Sequence, residues 1–177
     1  ATPMSYRYDA LAGVAEVLTR VEKIAKEHPS STAVATCGTI SCLPGVKNVI
    51  PGEANFSLDI RDENLESLKE LERKIMRNIN QVMLARNLSI SSKQVSKAMP
   101  IKMDHDIISL LAELAQENKV SAIQMPSGAV HDAAIIAQVI PTGMIFVPSI
   151  NGLSHCPDEF TKTEDISIGC NILAQAI

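Results

Sequence analysis

An alternating run of side chains constrains the fold of this chain more than any other feature. Between residues 54 and 61 every second side chain is apolar and the ones between are polar; the apolar set is Ala54, Phe56, Leu58 and Ile60. Successive side chains of a β-strand point to opposite faces of the sheet. The run therefore predicts a strand with one face in a hydrophobic core and the other in water.

Two helical patterns flank this strand. Asp9 is a good N-cap, and apolar residues then recur at helical spacing as far as Ala25, before His28-Pro29 ends the pattern. After the strand, residues 65–82 carry an apolar stripe on one helical face. Both segments are predicted to be amphipathic helices that pack on the apolar face of the strand.

Further strands complete a recognisable order. Residues 32–41 and, more weakly, 88–95 are predicted strands, which gives helix, strand, strand, helix, strand. One more strand before Ala1 would make a β-α-β-β-α-β unit. We therefore expect residues 1–97 to be a ferredoxin-like α+β domain that lacks its first strand.

The pattern changes after Met99-Pro100. Helices are predicted at 104–118, 131–139 and 163–177, alternating with apolar strands at 120–125 and 143–147. This alternation predicts an α/β segment, 98–177, with parallel strand pairing. The loops after the two strands would then open at one sheet edge, with His131 and His155 near each other.

Composition limits the classes of function. The net charge of −4 and the absence of Trp argue against nucleic acid or an anionic membrane surface as partner, and no apolar run is long enough to cross a bilayer. Four cysteines with no disulfide-framework spacing predict reduced thiols in a cytoplasmic protein. A structural zinc site built from Cys37, Cys42 and His155-Cys156 is a weaker alternative, because closed zinc sites use tighter paired spacings.

Two polar loops carry candidate chemistry. His155 is a candidate metal ligand, with Glu159 as a candidate to orient it; the alternative is a surface histidine without a ligand. His131-Asp132 begins a helix, and capping is as good an explanation as chemistry. The Gly128-Ala129 backbone before it either directs N–H groups at an anion or makes an ordinary turn.

Arg61 is the candidate carboxylate anchor. It ends the alternating strand on the polar face, and its guanidinium suits bidentate carboxylate binding. The alternative is an ion pair with Asp59 or Asp62. Asn48 is a candidate second contact, but both side chains can touch one substrate only if residues 43–53 form an irregular loop rather than a tight hairpin.

Four motifs, in order, resemble one enzyme family. They lie in residues 1–11, 44–62, 126–133 and 144–159 and read A-T-P-M-x-x-R-x-D-A-L, P-G-x-x-N-V-I-P-G…F-S-L-D-I-R-D, P-S-G-A-V-H-D-A and M-I-F-V-P-S…G-x-S-H-x-P-x-E. The chain resembles the amidase/hydantoinase/carbamoylase group of dinuclear zinc amidohydrolases. N-carbamoyl-L-amino acid hydrolases, β-ureidopropionases and allantoate amidohydrolases belong to that group.

The resemblance implies a function and a set of sites. Residues 1–97 would be most of a lid that forms a homodimer, and 98–177 the C-terminal part of a catalytic domain of the zinc-peptidase type. Asn48 and Arg61 would hold the carboxylate of a small substrate, Gly128 and Ala129 would line the pocket, and His155 would bind one of two Zn²⁺ or Mn²⁺ ions. The reaction would be metal-dependent hydrolysis of a C–N bond in an N-carbamoyl or ureido acid.

The chain also departs from the family pattern. The other metal ligands and the glutamate general base are absent, so these residues alone are expected to be inactive. Val130 stands where the family has glycine, and a β-branched residue would be strained there if the position required a positive φ. The rival hypothesis is a non-catalytic ferredoxin-like module for dimerisation or small-ligand binding.

Overall fold

Two long helices and a broken β-hairpin make up the first part of the chain. The computed structural model describes all 177 residues and divides them into units of 1–100 and 101–177, three residues from the predicted boundary. A short 3₁₀ turn, Met4–Tyr6, precedes helix α1, Ala10–Lys26. Strands β1 (Val34–Thr36), β2 (Ile40–Leu43), β3 (Glu53–Phe56) and β4 (Asp59–Arg61) follow, and then helix α2, Leu65–Ala85.

Each of the two long helices begins at a side-chain cap, Asp9 for α1 as predicted and Asn64 for α2. The Asp9 carboxylate accepts a hydrogen bond from the N–H of Ala12, and the Asn64 side chain accepts from the first-turn N–H groups of α2. Each cap satisfies backbone donors that have no partner inside the helix. The predicted boundaries of α1 are confirmed, and Val14, Val17 and Val21 are its buried apolar side chains.

The hairpin consists of two antiparallel ladders separated by a bulge. β1 pairs with β4 and β2 pairs with β3, so residues 37–39 of the first arm face only residues 57 and 58 of the second. The extra residue ends regular pairing for a short distance, which is why each predicted strand appears as two. The Ser57 hydroxyl accepts a hydrogen bond from the N–H of Thr39 at 3.1 Å and stabilises the break.

The core of residues 1–100 lies between the helices and one face of the hairpin. Its buried members are Val17, Val21, Leu71, Ile75, Ile79, Val82 and Met83, and Phe56, Leu58 and Ile60 pack against them. The alternation predicted for residues 54–61 is therefore confirmed, as is the apolar stripe of α2. Burial of such side chains contributes about 1.5–3 kcal/mol each.

Asp62 ends this buried face with a charge. Only 7% of the residue is exposed, yet its carboxylate accepts four hydrogen bonds: from the hydroxyls of Ser30 (3.0 Å), Thr32 (3.1 Å) and Ser67 (2.6 Å), and from the N–H of Asn64 (3.0 Å). Burial raises the pKa of Asp62, but the hydrogen bonds outweigh burial and hold the pKa below its usual value. The carboxylate therefore remains ionised inside the fold.

Acid should weaken this part of the fold. Because the pKa of Asp62 is lower in the folded state than in the unfolded one, the cluster stabilises the fold above about pH 4. That contribution is lost as the pH falls through the folded-state pKa. We expect Asp62→Asn to flatten the decline in the free energy of unfolding, measured by urea denaturation between about pH 7 and pH 2. Glu63→Gln removes an exposed carboxylate one residue away and should leave the slope unchanged.

Residues 101–177 form helices joined by irregular segments. Helix α3 spans His105–Glu117 behind the Asp104 cap, α4 spans Asp132–Ile136, and α5 spans Thr163–Ala176. A 3₁₀ turn covers Ile150–Gly152. α3 packs against α5, and the side chains of Asn118 and Gln175 are hydrogen-bonded at 3.0 Å. None of the helices in the chain is long and apolar enough to cross a bilayer.

The predicted strands at 88–95, 120–125 and 143–147 are wrong for this structure. The only ladders are the two pairings of the hairpin. A β-strand requires backbone hydrogen bonds to a neighbouring strand, and an apolar composition does not by itself provide such a neighbour. Ile123 and Phe146 on the two later segments are 81% and 50% exposed. The mixed helix-and-strand class is confirmed, whereas parallel pairing within 101–177 is not observed.

Candidate functional site

Arg61 lies on the solvent-exposed face of the hairpin. Its Nε donates to one carboxylate oxygen of Asp59 at 2.7 Å, and its Nη2 donates to the other at 2.8 Å. This bidentate contact decides between the two ion pairs considered from sequence, since Asp62 faces the other side. The hydrogen bond from Arg61 lowers the pKa of Asp59 and correspondingly raises the pKa of Arg61. Both groups are therefore charged, and the pair limits the rotation of the guanidinium.

Asn48 lies in an irregular loop, residues 44–52. An irregular loop rather than a tight hairpin is the condition given above for Asn48 and Arg61 to contact one substrate. The N–H of Gly52 donates to the carbonyl of Leu43 at 3.1 Å and closes the loop. The carbonyl of Pro51 accepts from the N–H of Ala10 at 3.0 Å, which ties the loop to the first residue of α1. Asn48 is exposed.

The loop and Arg61 lie at opposite ends of the hairpin. Arg61 pairs with Val34, and the loop begins and ends at the pair Leu43 and Glu53. Eight residues separate Glu53 from Arg61, about 26 Å at the rise of a strand. Helix α1 alongside has a similar length, about 26 Å for 17 residues. Within one chain, the base of the Asn48 loop is thus far from the Arg61 end of the hairpin.

The segment around Ser127 is held by its own hydrogen bonds. The Ser127 hydroxyl lies 2.6 Å from Nε2 of His131 and accepts a hydrogen bond from the N–H of Ala129 at 3.2 Å. The N–H of Ala129 is therefore engaged within the turn rather than directed at an anion. The ring of His131 packs edge-on against Phe146, with centroids 5.6 Å apart. His131 occupies the N-cap position of α4 without a side-chain hydrogen bond to the helix, whereas Asp132 lies in the first turn, where its charge suits the helix dipole.

Val130 is not strained in this segment. The non-glycine residues with positive φ are Asn87, Lys119, Asn151 and His155, and Val130 is not among them. The concern that a β-branched side chain would be forced into the left-handed region therefore does not apply to this structure. Val130 is 69% exposed.

Gly128 is open to space, unlike Gly143. A Cβ at Gly128 would meet nothing within 4 Å, whereas one at Gly143 would lie 2.5 Å from Cγ2 of Ile107. We expect Gly143→Ala to destabilise the protein by about 1–3 kcal/mol, because the β-branched Ile107 has little freedom to move. Gly128→Ala is the matched control and should leave the melting temperature unchanged. Thermal unfolding of both variants tests this contrast, and equal losses of stability would contradict it.

His155 has the unusual backbone conformation of the second loop. Its φ is +58°, the left-handed region in which His and Asn are among the tolerated side chains. Its N–H donates to the Glu159 carboxylate at 2.9 Å, and its Nδ1 lies 2.6 Å from the Ser154 hydroxyl. Glu159 thus contacts the main chain of His155, and Ser154, which sequence reasoning missed, contacts the ring. A metal would accordingly be bound by Nε2, with Nδ1 held by its hydroxyl partner.

The chain does not by itself provide a metal centre. No three His, Cys, Asp or Glu side chains come together in a way that could hold a metal ion, whereas catalytic zinc takes three protein ligands. All four cysteines are free, and none of them belongs to a group of three or more side chains that could hold a metal ion. His155 offers a single donor.

The comparisons with known proteins establish the family. The model of peptidase family M20/M25/M40 matches residues 8–177. The chain therefore belongs to this family of peptidases and related hydrolases, and the family predicted from the four motifs is confirmed.

Two relatives show the level of similarity. The chain is 37% identical over 175 residues to an N-carbamoyl-L-amino-acid amidohydrolase of Pseudomonas sp., covering 99% of this chain and 42% of the relative. It is 34% identical over 176 residues to the allantoate amidohydrolase of Bacillus subtilis, with the same two coverages. The chain thus spans less than half the length of these relatives.

Solved structures agree with the sequence matches. An amidase of the hydantoinase/carbamoylase family from Burkholderia multivorans superposes with a TM-score of 0.92 at 32% identity, over 99% of this chain and 42% of the other. A Bacillus subtilis protein described as a dinuclear metal binding peptidase of the M20 family gives a TM-score of 0.67 at 17% identity, over 95% of this chain and 45% of the other. The second match supports the fold alone.

Proposed function

We propose that the whole protein containing this chain is a metal-dependent amidohydrolase. It would cleave a C–N bond in N-carbamoyl-L-amino acids or in ureido acids such as allantoate. The strongest support is a run of relatives with these activities in their names, each matched across nearly the whole of this chain. Ureidoglycolate hydrolases are matched as well. The compounds in the names of these relatives are all small acids with a carbamoyl or ureido group, and we propose a substrate of that class.

Arg61 is proposed to bind the substrate carboxylate. Its guanidinium is exposed on the hairpin and already held in plane by the two oxygens of Asp59. A planar donor of this kind matches a carboxylate through parallel hydrogen bonds. Gly128 and Ala129 are proposed to line the substrate pocket, and the open space at Gly128 supports close approach of a ligand to the backbone.

Asn48 and Arg61 are proposed to serve one substrate from different copies of the chain. Groups that hydrogen-bond to one carboxylate must lie within about 3 Å of its oxygens. The hairpin separates the base of the Asn48 loop from Arg61 by about 26 Å. A homodimer formed through residues 1–100 would bring the loop of one subunit towards the Arg61 of its partner.

The outer edge of the first arm of the hairpin supports such a dimer. The first arm pairs only with the second, so its outer edge carries backbone groups without strand neighbours. Ile40 and Leu43 on the first arm are 49% and 56% exposed. Edge pairing between two copies would satisfy the backbone groups and cover the apolar side chains. Light scattering of the purified protein measures whether a dimer forms.

His155 is proposed to bind one of two Zn²⁺ or Mn²⁺ ions in each complete subunit. The remaining metal ligands and the glutamate general base would come from the region of the whole protein that corresponds to the part of the relatives outside this match. Bound metal ions of this kind supply an activated water and polarise the carbonyl that is attacked. Ser154 would hold the His155 ring through Nδ1. A cytoplasmic location, without nucleic acid or membrane partners, completes the proposal.

Ammonia release by the full-length protein tests the reaction. N-carbamoyl-L-amino acids, allantoate and ureidoglycolate should be compared with and without added Zn²⁺ or Mn²⁺. Hydrolysis of at least one that is lost on chelation supports the proposal. A stable dimer that binds no metal and hydrolyses none of them would favour the alternative, a dimerisation or small-ligand-binding module.

A further inference from the structure

Asp62 is next to Arg61 in sequence but faces the opposite side of the strand. The inward-facing set of the hairpin continues from Leu58 and Ile60 to Asp62, and Arg61 lies between them on the exposed face. Strand β4 ends at Arg61, whose ladder partner is Val34. Beyond that pair no further ladder bond holds the chain, so the backbone beside Arg61 depends on other contacts.

The Asp62 carboxylate supplies those contacts. It accepts hydrogen bonds from Ser30 and Thr32, in the connection between α1 and β1. It also accepts from the N–H of Asn64 and the hydroxyl of Ser67, at the start of α2. The buried Asp62 side chain therefore joins the end of β4 to the α1–β1 connection and to the start of α2. Asp62 directly follows Arg61 in the sequence.

His28 extends this cluster. Because the Ser67 hydroxyl donates its only proton to the carboxylate of Asp62, it must accept at its oxygen from Nε2 of His28, which is 2.8 Å away. His28 is itself 8% exposed. The orientation of Ser67 is thus fixed from both sides, and so is its 2.6 Å bond to Asp62.

We propose that Asp62 is a positioning residue for Arg61, acting through the backbone of the strand end. The inference rests on the carboxylate-binding role of Arg61 proposed above. Asp62 does not touch the substrate, because its carboxylate is buried and already accepts four hydrogen bonds from the protein. It fixes the point from which the Arg61 side chain extends, while Asp59 fixes the guanidinium. Together the two carboxylates hold the anchor ready before substrate binds.

A kinetic comparison in the full-length protein tests this role. Asp62→Asn and the milder Ser67→Ala are assayed on the best substrate of the proposed series and on its carboxamide analogue, which lacks the charge that Arg61 would bind. We expect Asp62→Asn to raise KM for the acid about tenfold with kcat changed less than about twofold, since a misplaced anchor loses binding geometry. The carboxamide should show no such rise. In an Arg61→Ala background Asp62→Asn should add nothing.

Comparing these variants distinguishes the positioning role of Asp62 from the carboxylate-binding role of Arg61. Glu63→Gln removes a neighbouring exposed carboxylate and should leave KM unchanged. If Arg61→Ala raises KM but neither Asp62→Asn nor Ser67→Ala does, the positioning role is overturned and the anchor stands. Equal losses on the acid and the carboxamide would also overturn it, because they indicate a general structural effect. If Arg61→Ala leaves KM unchanged, the anchor itself is wrong and the positioning role falls with it.

Discussion

Replacing His155 by asparagine should reduce turnover of the full-length protein by at least about 100-fold. Loss of groups that only orient a metal ligand already costs about 10–100-fold, so loss of a ligand should cost more. Asparagine is the suitable replacement because His155 has a φ of +58°, which Asn tolerates better than Ala does. The hydrogen bond from the residue 155 N–H to Glu159 can therefore persist.

Turnover, metal content and circular dichroism together measure this effect. We expect the variant to fold normally while its metal content per subunit falls. His105→Asn is the matched control, since that side chain is 92% exposed at the start of α3. Full activity with normal metal content in the His155 variant would remove His155 from the proposed set of ligands.

Replacing Arg61 by alanine should raise KM for carboxylate substrates by roughly 10- to 100-fold. Hydrogen bonds to charged groups contribute about 1.5–3 kcal/mol each, which corresponds to this range. The chemical step should change less, because the contact is made to a part of the substrate that does not react. Arg61→Lys keeps the charge but loses the bidentate geometry, so it should recover only part of the affinity.

The fold should survive this substitution. The pair formed by Arg61 and Asp59 is about half exposed, with side-chain exposures of 48% and 53%, and exposed pairs contribute little to stability. Arg20→Ala breaks a comparable pair with Glu16 on α1 and serves as the control. Steady-state kinetics and thermal unfolding of Arg61→Ala, Arg61→Lys and Arg20→Ala test the expected rise in KM and the expected stability of the fold. An unchanged KM in Arg61→Ala would exclude it as the anchor.

Mixing Asn48 and Arg61 variants tests whether one substrate is bound by side chains from two subunits. If one substrate takes Asn48 from one subunit and Arg61 from its partner, mixing the two single variants produces a fraction of dimers with one intact site. A dimer that carries both changes on one subunit, with the other subunit unchanged, has no intact site, because each site then lacks one of the two side chains. Partial recovery of activity on mixing therefore identifies sites shared between subunits.

Local sequence was sufficient for the helices and the covered hairpin face. The cap at Asp9 and the apolar stripe of α2 were both readable, because helical hydrogen bonds join residues four apart. The alternation over residues 54–61 placed Ile60 inward and Arg61 outward for the same local reason. That alternation also extends to Asp62, which was the available signal for its burial.

What the sequence determined by itself was thus the periodic elements, the family and the identity of the candidate side chains. Tertiary structure decided which partners those side chains have: Asp59 rather than Asp62 for Arg61, and Ser154 rather than Glu159 for the ring of His155. It also decided that the apolar runs at 120–125 and 143–147 form no ladder. The physical reason is common to these cases. Helix patterns are satisfied within a few residues, whereas strand pairing and side-chain partners depend on distant segments and on backbone angles that a sequence pattern does not specify.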